Sequence, residues 1–120
     1  MLKISAAQLR HLDRSFGDRI YTKLEDLAHT LRPELRERTT PDVLRQFIDV
    51  VREQAGGVGF HTEFEQAVFF SAVLLQGRGF HLDPQHPLHE VVHRPDVESR
   101  LRANQLLYEL ERLGGGATTA

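Results

Sequence analysis

Apolar residues recur at steps of three and four along the N-terminal part of the chain: Leu9, Leu12, Phe16, Ile20, Leu24, Leu27 and Leu31. That spacing places all of them on one face of an α-helix. Arg10, Asp13, Arg14, Asp18, Arg19, Lys23, Glu25 and Asp26 occupy the other face. Ser5 supplies an N-cap, and Pro33 disfavours helical geometry at Arg32. The pattern predicts one long helix over residues 5–32. Gly17 is its weak point, costing about 1 kcal/mol relative to alanine.

A polar connection, PELRERTT, covers residues 33–40. Thr40-Pro41 then marks a second helix, with threonine as N-cap and proline in the first turn. Its apolar stripe is Val43, Leu44, Phe47, Ile48 and Val51, and Gly56-Gly57 closes it. Thr62 with Glu65 three residues later forms a capping box and opens a third helix, which runs to Gln76 and ends at Gly77. Here the pattern changes. Phe64, Ala67, Val68, Phe69, Phe70, Ala72, Val73, Leu74 and Leu75 cover almost the whole circumference, the mark of a helix buried on several sides. Residues 77–87 read as a loop from their glycines and prolines, with Phe80 and Leu82 folding back onto the core. A short helix over 88–93 lies between Pro87 and Pro95. A last helix over residues 96–113 follows, with Val97, Leu101, Leu106, Leu107, Leu110 and Leu113 apolar. No segment alternates as a strand does. The expected fold is all-α: a single bundle-like domain of four main helices plus a short fifth over residues 1–113, with 114–120 (GGGATTA) as a flexible C-terminal tail.

Composition narrows the function classes. A chain of 120 residues fits one domain and buries a core without staples. With no cysteine, disulfides, thiolate metal sites and cysteine nucleophiles are all excluded. Fifteen Lys and Arg stand against seventeen Asp and Glu, interleaved in sign, which argues against nucleic acid as a partner. Arginine far outnumbers lysine beside abundant Ala, Gly, Leu and Val, the composition of a GC-rich bacterial genome. The longest apolar stretch, 67–75, is broken by Ser71 and falls far short of the roughly 20 residues of a membrane-spanning helix. The N-terminus has no uninterrupted apolar run of the signal-peptide kind. These features lead to the expectation of a cytoplasmic protein without membrane insertion.

His89-Glu90-Val91-Val92-His93 satisfies H-E-x-x-H, the zinc-hydrolase signature. Two histidines four apart face one side of a helix and can hold one metal, and the glutamate can act as base on its bound water. His81, Asp83 and His86 lie upstream as further ligands. Against this, the helix between Pro87 and Pro95 has barely two turns, and no sheet is expected beneath it. With seven histidines in the chain, an accidental match is also easier. Zinc hydrolysis by His89, Glu90 and His93 is therefore the alternative; the preferred expectation is no metal, no cofactor, no catalytic residue and no enzyme. Gly56-Gly57-Val58-Gly59 lacks the lysine and hydroxyl of a phosphate loop and reads as a helix end. Arg32, Arg36, Arg38 and Arg45, diluted by Glu34, Glu37 and Asp42, form a basic patch suited to a solvated loop or an acidic partner surface. Large apolar groups are numerous for one small core. Phe70, Phe80, Leu82 and Leu88 are the candidate partner-binding residues, presented to another protein or to a second copy of the chain.

One resemblance runs through residues 5–113. Gly59-Phe60-His61-Thr62-Glu63, the apolar helix with Phe69 and Phe70, then Leu74-Leu75-Gln76-Gly77-Arg78-Gly79-Phe80 and Asp83-Pro84 resemble the small accessory proteins encoded beside type VI secretion effectors. Several of those carry a tryptophan after the Asp-Pro loop, where this chain has His86-Pro87-Leu88. The resemblance implies a co-chaperone or co-adaptor whose partner is a secreted effector, an effector-loading adaptor or a spike-tip protein. Immunity protein against a co-encoded toxin is the sibling implication.

Overall fold

The computed structural model describes the backbone of residues 19–119 and the side chains of residues 20–113. The expected helix over 5–32 therefore enters the description at α1 (Arg19–Leu31), and its earlier residues lie outside it. Ile20, Leu24, Ala28 and Leu31 bury the predicted face, and the Arg32 amide bonds to the Ala28 carbonyl at the last turn before Pro33. The polar connection contains one helical turn, α2 (Leu35–Arg38). In α3 (Pro41–Gly57) Pro41 occupies the first turn, while the Thr40 hydroxyl accepts the Val43 amide at 3.3 Å. Leu44, Ile48, Val51 and Ala55 form its buried stripe.

The helix expected to be central is central. α4 (Glu63–Gln76) packs against α1, α3 and α6 (Ser99–Thr119), and its buried positions include both Phe69 and Phe70. Phe70 meets Phe47 at a ring separation of 5.7 Å; Phe69 meets Phe60 at 6.1 Å and Phe80 at 5.6 Å. Two adjacent positions on a helix point about 100° apart, so one helix sends phenylalanines to two sides of the core. The loop that follows contains a 3₁₀ turn (Phe80–Leu82), and the short expected helix is α5 (His89–His93). Among the described residues all regular structure is helical, with four long helices and no strand.

Two boundaries and one face differ from the sequence reading. α6 begins at Ser99, and its helical backbone continues to Thr119, through residues assigned above to a tail. Leu101 is 56% exposed, whereas Ala103, Leu106, Leu107 and Leu110 are buried. Those four define the inward face by the i, i+3, i+4, i+7 rule. Leu101 lies two residues before its first member, about 200° around the helix.

Two polar side chains join the N-terminal end of α4 to α6. The buried Glu65 carboxylate accepts the amides of His61 at 2.9 Å and Thr62 at 3.2 Å, and also the Ser99 hydroxyl at 2.8 Å. Arg102 donates to three carbonyls, those of Val58 at 2.7 Å, Val92 at 2.6 Å and Val97 at 3.0 Å, with its guanidinium over the Phe60 ring. Gly59 turns the chain beside it at φ +90°. The positive φ favours glycine, and a Cβ there would stand 2.9 Å from an Arg102 nitrogen, which would have to shift.

Candidate functional site

Of the four residues expected to bind a partner, three are committed to the core. Phe70 and Leu88 are fully buried and Phe80 is nearly so. Only Leu82 reaches solvent, at 67% exposure, so it does not fold back as Phe80 does. The reason is local. Gly77 (φ +102°) and Gly79 (φ +79°) turn the chain so that the 3₁₀ turn directs Phe80 onto Phe69. Leu82, two residues on, then faces outward. Most of the large apolar groups are absorbed by a core to which each of the four long helices contributes.

The H-E-x-x-H segment folds as α5, a helix of five residues. His89 and His93 lie side by side with ring centroids 4.6 Å apart, under an open cleft of about 450 Å³ that Glu90, Asp96 and Val97 also line. His93 Nε2–H donates to the His81 carbonyl at 2.6 Å, which occupies one of its two ring nitrogens. Among the described residues no group of three His, Asp or Glu side chains converges as metal ligands. His81 itself is buried between Phe69, Phe80 and His93. Its Nδ1 is buried without a partner among the described residues. Burial, reinforced by His93 and then His89, holds its pKa below the ordinary imidazole value. A neutral imidazole in an aromatic nest is a packing element. Val91 and Val92 are buried as a short amphipathic turn requires.

The surface best suited to recognition lies at the opposite end of α4. A groove of about 420 Å³ runs between α2, the first turns of α3 and the C-terminal end of α4. Its floor is apolar. Val43 is 53% exposed, Leu35, Phe47 and Leu74 are half-buried, and Leu44 and Val73 close the bottom. Its rim carries Arg32, Arg38 and Arg78 against a single carboxylate, Glu34. Arg32 is positioned by a 2.8 Å bond from Nε to the Leu74 carbonyl and reaches Glu34 only at 4.0 Å, with both side chains nearly half exposed. A pair so exposed contributes little. Arg78 lies over the Phe47 ring at 5.6 Å. Neither Arg38 nor Arg78 has an ion-pair partner among the described residues.

The basic patch seen in the sequence is thus divided. Arg32 and Arg38 reach the groove; Arg45 faces α1, where it pairs with Glu25 at 3.5 Å and covers the Tyr21 ring. Sequence reasoning missed Val43, Leu35, Leu74 and Arg78 as site residues. One signal existed. Adjacent Val43-Leu44 and Phe47-Ile48 make the α3 stripe wider than a single contact face requires, and the surplus edge borders the arginine-rich connection.

Compared with protein-family models, with curated proteins and with solved structures, the chain matches none of them.

Proposed function

We propose that this chain is a non-catalytic binding module for another protein. The observation that carries the reading is the groove between α2, α3 and α4. There the exposed Val43 and the half-buried Leu35, Phe47 and Leu74 lie beside arginines whose charges have no close counter-ion. Water solvates such a floor poorly, and a partner that covers it gains apolar burial and charge pairing together. The resemblance to accessory proteins of type VI effectors supplies a biological setting: holding an effector, or joining it to a loading adaptor or a spike tip. The residues that carry the resemblance are largely those that build the fold, namely the capping box at Thr62, the turns at Gly77 and Gly79, and the buried Phe69, Phe70 and Phe80. They support a shared architecture, and the groove supports the binding role.

A photo-crosslinking residue placed at Val43 in the native host tests this, with Val50 as the control. Val50 is also exposed on α3 but does not line the groove. The expected result is one discrete crosslinked protein from position 43 and none from position 50. Equal labelling from both, or none from 43, overturns the reading.

A further inference from the structure

We infer that the groove takes an acidic amphipathic segment of its partner, seating aliphatic side chains on Val43, Phe47 and Leu74 and carboxylates on Arg32, Arg38 and Arg78. The inference deepens the protein-binding reading and rests on it. Charge decides the class of occupant. Three rim guanidiniums face one rim carboxylate, and that carboxylate meets Arg32 only at 4.0 Å. A basic or neutral peptide would leave two arginines partly desolvated without counter-charge, at a cost that offsets the burial of the floor. An acidic peptide converts the same groups into charge-assisted hydrogen bonds, and the planar fork of arginine suits a carboxylate in particular. Arg78 is already held over Phe47, so its charge sits at the edge of the apolar floor where a flanking carboxylate would lie. An amphipathic helix laid into an apolar groove supplies aliphatic anchors at three- and four-residue spacing with acidic residues between them.

Charge also disfavours the chain's own N-terminal segment. Residues 1–18 carry Lys3, Arg10 and Arg14 against Asp13 and Asp18, a formal excess of one positive charge, the same sign as the rim.

The test uses the full-length chain and a fluorescein-labelled peptide of about 14 residues, with leucines at helical three- and four-residue spacing and glutamate elsewhere. A second peptide replaces every glutamate by lysine. Fluorescence anisotropy is expected to show saturable binding of the glutamate peptide and none of the lysine peptide. Affinity should fall at least tenfold when Arg38→Glu and Arg78→Glu are combined, and weaken steadily as salt is raised. Circular dichroism of the double variant verifies that it remains folded. Comparable binding of both peptides, or no effect of the double variant, overturns the inference. A discrete partner crosslinked at Val43 without binding of the glutamate peptide also overturns it, while leaving the binding-module reading intact. A crosslink from Val43 to residues 1–18 of the same chain assigns the groove to that segment. A dimer that Val43→Asp converts to monomer assigns it to a second copy. Either result overturns the inference.

Discussion

The two ends of α4 are built on opposite plans. At the N-terminal end polar groups are drawn inward and matched. Glu65 accepts three donors, Arg102 donates to three carbonyls, and Gly59 turns the chain beside the arginine at positive φ. At the C-terminal end the arrangement is reversed. Val43 is left facing water with Leu35, Phe47 and Leu74 half-covered, and arginines stand beside them with little to neutralise them. Matched polar groups in a buried setting hold a fold together, because removing one orphans the others. Exposed apolar groups beside unmatched charge do nothing for the isolated chain and suit a surface meant to be covered. Substitutions at the first end should therefore alter stability, and substitutions of the exposed Arg38, Val43 and Arg78 at the second should alter binding with little effect on stability.

The sharpest test at the structural end is Glu65→Ala. It leaves the His61 and Thr62 amides and the Ser99 hydroxyl without their acceptor at a nearly inaccessible position. Each of the three part-buried bonds to the charged carboxylate contributes about 1.5 kcal/mol, so a loss of about 4 kcal/mol is expected. For a domain of this size that lowers the melting temperature by about 15 °C in calorimetry. Glu65→Gln keeps one acceptor oxygen and should recover about half of the loss.

Arg102→Met ranks next. It keeps much of the apolar bulk over Phe60 but removes the donor to Val58, Val92 and Val97. The acceptors are neutral carbonyls at a part-buried site, where water takes over much of the lost bonding, so a loss of about 2 kcal/mol is expected from denaturant titration. The Val92 and Val97 bonds tie down the segment around α5, and amide exchange there should quicken more than in α4.

The difference in plan also explains what could be foreseen from sequence. The helices were legible because periodicity and caps are local. The Thr62–Glu65 capping box, Pro41 in the first turn and the glycine exit at 77 each act within a few residues, whereas Gly56 and Gly57 stay helical, Val58 caps α3 and the positive-φ glycine after it is Gly59. Centrality of α4 was legible because only a buried helix tolerates apolar side chains all round. Exposure of individual side chains was not. Phe80 and Leu82 are large apolar residues of one 3₁₀ turn, yet one is core and the other surface. The choice depends on two positive-φ glycines and on where Phe69 lies in space. The groove was hidden for the same reason. Arg78 and Val43 are thirty-five positions apart and become neighbours only when α3 packs on α4. Conversely, H-E-x-x-H was conspicuous in sequence because it is local, while whether His81, Asp83 or His86 joins it depends on the path of the intervening loop, and among the described residues no three such side chains converge.

His81 supplies a milder, pH-dependent probe of the matched region's outskirts. Burial lowers its pKa from the ordinary 6.5, with His93 and His89 adding to the effect and His86 packed on the neighbouring Phe80. The folded state therefore holds fewer protons at this site than the unfolded chain. Stability from this group is complete above pH 6.5, falls as the pH drops through 6.5, and levels off once the pH is below the folded-state value. Urea midpoints measured at intervals from about pH 8 to pH 5 should decline on the acid side of neutrality. His81→Phe should flatten that decline while leaving the midpoint at high pH within about 1 kcal/mol of its original value. An unchanged slope would show that the other histidines carry the pH dependence.

The smallest effect on stability, and the one that most sharply separates the two ends of α4, belongs to Val43→Asp. Val43 is the third residue of α3, one turn after the Thr40 cap, and more than half exposed. Removing its side chain from water contributes little to the isolated chain. A carboxylate in the first turn of a helix is favoured by the partial positive charge of the N-terminus by about 0.3–1 kcal/mol. The melting temperature should accordingly stay within about 2 °C of the parent or rise slightly. The same change puts a charge on the apolar floor and offers the rim arginines an internal carboxylate, so it opposes an acidic amphipathic ligand through both the floor and the rim. Binding of the glutamate peptide should fall at least tenfold in anisotropy titrations of a protein that is otherwise as stable as before. A large loss of stability in Val43→Asp would instead place Val43 with the structural residues, and the contrast between the two ends of α4 would fail at its functional end.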